Sequence, residues 1–137
     1  YGLTENKKAA MTKTALIIDD NKANRDVLTM MLKTNGVSPV SLDSPRFLAD
    51  SLAQIDHIDV VFLDLEFPNY NGLDLVNYLR EQPTLSGAPI VAYTVHTSEV
   101  ETVRDAGFDG FLGKPLKPHR FAGQLERILN GDAVWEE

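Results

Sequence analysis

Cysteine is absent from the 137-residue sequence. Its absence excludes disulfide scaffolds, thiolate zinc sites, iron–sulfur clusters and thiol nucleophiles, and it permits a reducing, cytoplasmic setting. Basic residues are scarce: Lys and Arg total 13 against 20 Asp and Glu, a formal net charge of −7. Binding to a phosphate backbone runs on basic patches, so direct nucleic-acid recognition is not expected. Long apolar runs are missing too. The longest, such as Ala15 to Ile18 and Val60 to Leu63, are four residues, against the roughly 18 needed to cross a bilayer, so the chain is expected to be soluble and to make no membrane contact. No Gly-rich, phosphate-cradling loop follows the first apolar run, which argues against a small flavodoxin-type cofactor binder.

What is present is a core. With 43% hydrophobic residues, a chain of this length buries about two-thirds of its surface on folding and needs no covalent staples. One domain is expected. Residues 1–12 are polar and aperiodic and read as a disordered arm or expression remnant, residues 13–131 as the folded domain, and residues 132–137 as a tail. Trp135, the single tryptophan, falls in that tail, where its fluorescence would report little.

From Lys13 onward short apolar runs alternate with helical patterns, which predicts an α/β sandwich around a parallel sheet of five strands and five helices, each strand buried on both faces. The strands are Ala15 to Ile18, about Val37 to Leu42, Val60 to Leu63, Ile90 to Tyr93 and about Gly110 to Gly113. The first helix turns Val27, Leu28, Met31 and Leu32 inward and ends at Asn35-Gly36. The second opens at Ser44-Pro45 and buries Phe47, Leu48, Leu52 and Ile55. The third carries Leu75, Val76 and Leu79. Ser98 with Glu101 is a capping-box candidate for the fourth, which Gly107 closes. The fifth starts at Pro118 and faces Phe121, Leu125, Ile128 and Leu129 inward.

The ligand site of an open parallel sheet lies beyond the carboxyl ends of its strands, so residues at those ends converge in space. Four of the five ends are polar here: Asp19 and Asp20 after the first, Asp64 after the third, Thr94 after the fourth, Lys114 after the fifth. Singly, each is an ordinary cap or turn residue. Together they are not ordinary. Three carboxylates crowded at one edge repel one another and call for a counter-charge, which a hard divalent cation supplies through oxygen ligands. A carboxylate facing such a cation, a hydroxyl and an ammonium can attack a phosphoryl group and become an aspartyl phosphate.

The ordered motifs LIIDDNKANR, VVFLDLEFPNYNGLDL, VAYT and GFLGKPL resemble the receiver domain of two-component response regulators, and the resemblance covers Thr14 to about Asn130. The resemblance implies a flavodoxin-like, doubly wound (βα)5 sandwich with strand order 2-1-3-4-5. It implies Asp64 as phosphoacceptor, fed by a histidine kinase or histidine phosphotransfer protein. Asp19, Asp20, Asp64 and the Glu66 backbone carbonyl are implied to hold Mg2+, with Mn2+ as a substitute, Asp20 directly and Asp19 largely through water. Thr94 and Lys114 would stabilise the phosphoryl group, Phe111 would act as an aromatic rotamer switch, and the Lys114-Pro115 bond would be cis. Glu66, Val95 and His96 match positions that tune the reaction rates. The implied protein is not a turnover enzyme: it phosphorylates itself, loses the group by autodephosphorylation and switches a surface for an output partner, as a monomer or weak homodimer in the cytoplasm.

Three residues depart from the usual pattern. Val95 stands where small residues are usual, and its branched side chain predicts slow phosphotransfer or slow hydrolysis. His96 is placed to meet Glu66 across the site. Asn71-Gly72 replaces the commoner Asp-Gly at what reads as a positive-φ turn. Two other readings compete. One is a receiver-like docking module that works without phosphorylation. The other is a small aspartate-nucleophile phosphatase of the haloacid dehalogenase type, whose remaining acids should follow the lysine, whereas here the acidic pair precedes the nucleophile.

Overall fold

A computed structural model describes residues 12–66 and 70–136; the arm expected at residues 1–12 lies, except for Thr12, outside the described residues. Six parallel strands form one sheet, in the order β2-β1-β3-β4-β5-β6. They are β1 Lys13–Ile18, β2 Val37–Leu42, β3 Val60–Asp64, β4 Ile90–Thr94, β5 Gly110–Gly113 and β6 Trp135–Glu136. The α-helices between them are α1 Lys22–Thr34, α2 Leu48–Leu52, α3 Gly72–Arg80, α4 Val100–Asp105 and α5 Pro118–Leu129. The first five strands stand in the expected order.

Alternation along the strands divides the core into two layers. Ala15, Ile17, Phe62, Val91 and Tyr93 face the α1 and α5 side, meeting Leu28, Met31, Leu32, Phe121, Leu125 and Ile128. Leu16, Ile18, Val61, Leu63 and Ala92 face the other, meeting Leu48, Leu52, Val76, Leu79 and Val103. β3 and β4 are wholly buried, as parallel strands covered on both faces should be. β2 is not: it lies at the sheet edge and is largely half-buried or exposed. Of the inward face expected on α1, Val27 is 49% exposed because it points toward the cleft at the strand ends.

The strand count differs from expectation, and so does the tail. After α5 the chain turns at Gly131, φ +92°, and returns to pair β6 with β5, placing Trp135 beside Phe111 and Glu136 beside Leu112. The Phe111 N–H donates to the Val134 carbonyl at 2.8 Å. Gly110 permits this approach, since a Cβ there would sit 2.8 Å from that same carbonyl oxygen. Trp135 packs against the layer containing Phe111 and stacks under the Arg104 guanidinium at 4.6 Å. Glu136 is held by Arg127 at 2.7 Å, Gln124 at 2.9 Å and Arg120 at 3.6 Å. A two-residue strand is too short to show a period of two, so sequence patterning reads it as tail.

Two local readings also change. Asn71-Gly72 is no positive-φ turn: Asn71 is the N-cap of α3, accepting from the Leu73 N–H at 2.9 Å. Gly72 is required there by contact, because a Cβ would lie 2.8 Å from the Leu65 Cα. The Ser98–Glu101 capping box does not form. A 3-10 turn over Thr97–Glu99 precedes α4, with no side-chain cap at either start, so Ser98 lies inside the turn instead of ahead of the helix.

Candidate functional site

Because the strands are parallel, their carboxyl ends share one edge of the sheet, and a cleft of about 460 Å3 opens there. Its lining includes Asp20, Asp64, Glu66, Tyr93, Val95 and Lys114. Carboxylate oxygens of Asp19, Asp20 and Asp64 all lie within 4.8 Å of one another. Asp19 is fully buried, Asp64 is 3% exposed, and Asp20 is exposed at the mouth. An all-oxygen donor set of this kind suits a hard cation that keeps part of its water shell.

Asp19 is held on both oxygens. Oδ1 accepts the Asn21 N–H at 2.8 Å, while Oδ2 accepts the Tyr93 hydroxyl at 2.6 Å and Lys114 Nζ at 3.2 Å. Its backbone carbonyl accepts from the Arg25 guanidinium at 2.9 Å. Lys114 also donates to Asp64 Oδ1 at 3.3 Å and sits 4.3 Å above the Tyr93 ring centroid. One ammonium is thus shared between two buried carboxylates. It does not fully offset their cost: burial pushes Asp64 up to about 6, with the Asp19 charge adding to the rise and Lys114 opposing it. The Tyr93 hydroxyl is raised from its ordinary value by burial and by its bond to Asp19.

The end of β4 makes a second cluster. Thr94 is fully buried, and its hydroxyl donates to Glu66 Oε1 at 3.2 Å while accepting the His96 N–H at 3.1 Å. His96 Nε2 lies 2.8 Å from the same Glu66 oxygen. His96 and Glu66 are each about half-exposed, so their attraction is screened and worth little stability. It nonetheless holds the two side chains together beside Thr94. Val95 is 57% exposed beside them. Phe111 is fully buried in the α2, α3 and α4 layer, and the Lys114-Pro115 peptide is cis.

The sequence points to every one of these residues except Asn21, Tyr93 and Arg25. By pattern alone Tyr93 reads only as a strand residue. Its signal was its position: β4 pairs it with Asp64, and a hydroxyl on a buried central strand needs a partner.

The arrangement has counterparts. Residues 15–126 match the model of the response regulator receiver domain. The chain belongs to the response regulator receiver family. It is a two-component response regulator receiver. Among curated relatives, the polar-differentiation response regulator DivK of Brucella ovis is 27% identical over 125 residues, which cover 90% of this receiver and all of DivK. Hybrid signal transduction histidine kinase L of Dictyostelium discoideum is 34% identical over 112 residues, 74% of this receiver but 6% of that kinase. Chemotaxis response regulator CheY4 of Vibrio cholerae shares the fold, with a TM-score of 0.75 at 23% identity, covering 86% of this receiver and 99% of CheY4. So does the receiver domain of a Pseudomonas aeruginosa sensor histidine kinase that has a magnesium ion coordinated in its active site cleft, with a TM-score of 0.74 at 23% identity and coverage of 87% and 98%. No helix among the described residues is long and apolar enough to cross a membrane.

Proposed function

We propose that this receiver takes a phosphoryl group from a histidine kinase or histidine phosphotransfer protein onto Asp64. The observation that carries the reading is the three-carboxylate cluster with Lys114 bridging Asp19 and Asp64. An Asp64 oxygen attacks phosphorus, the phosphorus–nitrogen bond of the donor histidine breaks, and an acyl phosphate forms. Mg2+, or Mn2+ in its place, held by Asp20, Asp64 and the Glu66 carbonyl with Asp19 acting through water, would neutralise charge on the transferring oxygens. Lys114, 3.3 Å from Asp64 Oδ1, would do the same. Water later cleaves the acyl phosphate, returning the Asp64 carboxylate and releasing inorganic phosphate.

The Thr94 hydroxyl is the switch. In the ground state it is committed to Glu66, and a phosphoryl group on Asp64 offers stronger acceptor oxygens, which draw it away. Space left by Thr94 changes the packing of Phe111 and, through it, the α4–β5–α5 surface that an output partner reads. The setting is cytoplasmic, and the receiver acts as a monomer or weak homodimer.

Intact-protein mass after incubation with acetyl phosphate tests the reading. One Mg2+-dependent phosphoryl adduct is expected on the wild type and none on Asp64→Asn. Absence of the adduct with acetyl phosphate and with a phosphohistidine donor alike, and of any Mg2+ binding, overturns it in favour of a docking module.

A further inference from the structure

Tyr93 touches both charged partners of the acceptor. Its hydroxyl donates to Asp19 Oδ2 at 2.6 Å, the shortest of the three bonds on that carboxylate. Its ring lies 4.3 Å beneath Lys114 Nζ, within the range of a cation–π contact. The ring is itself fixed, 1% exposed and edge-on to Phe62 with centroids 6.4 Å apart. Such a side chain can set geometry without entering the reaction.

We infer that Tyr93 is a positioning residue that holds Asp19 back from direct contact with the cation and keeps Lys114 over Asp64. The inference rests on the phosphoacceptor reading above. With the hydroxyl in place, Asp19 Oδ2 has two donors and divides the pull on Lys114. Without it, Lys114 is the only donor left on Oδ2 among the described residues, so the ammonium is drawn toward Asp19 and away from Asp64. The same carboxylate, relieved of a donor, presents more negative charge to the metal site. The two consequences have opposite signs: the cation binds more tightly, while phosphoryl transfer slows.

The experiment compares wild type and Tyr93→Phe in Mg2+ affinity by calorimetry and in phosphorylation rate with acetyl phosphate by intact mass. In the variant the Kd for Mg2+ is expected to fall and the rate to fall with it, each by about threefold or more, and both changes should vanish in an Asp19→Asn background. General loosening of the site would instead weaken binding and slow transfer together. A competent wild type whose Phe variant moves both quantities in that way, or moves neither, overturns this inference alone. A wild type that neither binds Mg2+ nor takes the phosphoryl group overturns the functional reading and this inference with it. A measurement on the unaltered protein guards against a variant that fails to fold. The Tyr93 hydroxyl proton should give a downfield, slowly exchanging NMR signal that persists under saturating Mg2+, and its absence, or its loss on adding the ion, overturns the inference.

Discussion

Asp64 is 3% exposed and beside a second buried carboxylate, so its charge is a liability to the fold. The sign of the resulting pH dependence follows from its rise from 3.8 to about 6. Between those values the folded protein binds the proton and the unfolded chain does not, so stability falls as pH rises through the window, and the cost is complete above about 6. Asp64→Asn removes the charge and is expected to stabilise the apo protein by on the order of 1–3 kcal/mol at pH 8, with the advantage shrinking below pH ~4. Urea unfolding at the two pH values checks this, and equal differences at both would refute it. Val95 belongs to the same scale. It is 57% exposed and lines the cleft that holds Asp64 and Glu66, and a branched side chain there is expected to narrow the approach to Asp64. Val95→Ala is expected to speed phosphorylation and hydrolysis by a few-fold, about 1 kcal/mol of barrier, measured by mass time courses.

Strand β6 shows what one short element adds. Its anchor is Glu136, which the Arg127 and Gln124 bonds hold at about 2, well below its ordinary 4.5. A depressed carboxyl contributes stability above its unfolded value and loses it as pH falls through the folded one. The strand should therefore loosen between pH ~4.5 and ~2, and Trp135, packed under Arg104, should report it as a red shift in emission. Glu136→Gln is expected to show part of that shift already at pH 7. An emission maximum that ignores both pH and substitution would count against the anchor. The central elements were legible because they are long or strongly periodic: Ala15 to Ile18 and Val60 to Leu63 are unbroken apolar runs, and each ends in the acid that marks the site. What escaped had no local pattern. β6 is defined by Gly110 and Gly131, twenty-one residues apart, and the Tyr93–Asp19 bond spans 74 residues. Neither relation is written in neighbouring residues, only in the register of parallel strands.

For the molecule as a whole, cation binding and stability are the same free energy seen from two sides. The apo fold tolerates three clustered carboxylates with a single bridging ammonium, and the unfolded chain has no such cluster, so an ion bound at the strand ends stabilises only the native state. At a concentration 100 times Kd the gain is about 2.7 kcal/mol, which for a domain of this size raises the melting temperature by on the order of 10 °C. The net charge of −7 complicates the measurement, because any salt screens general self-repulsion and raises stability somewhat. The comparison must be between MgCl2 and NaCl at equal ionic strength. The excess shift due to Mg2+ is expected in the wild type, strongly reduced in Asp20→Asn, which removes an exposed ligand at little cost to packing, and reduced again in Asp64→Asn. If both salts act alike in all three proteins, the cluster is only a charged surface and the cation is not part of the fold's working state.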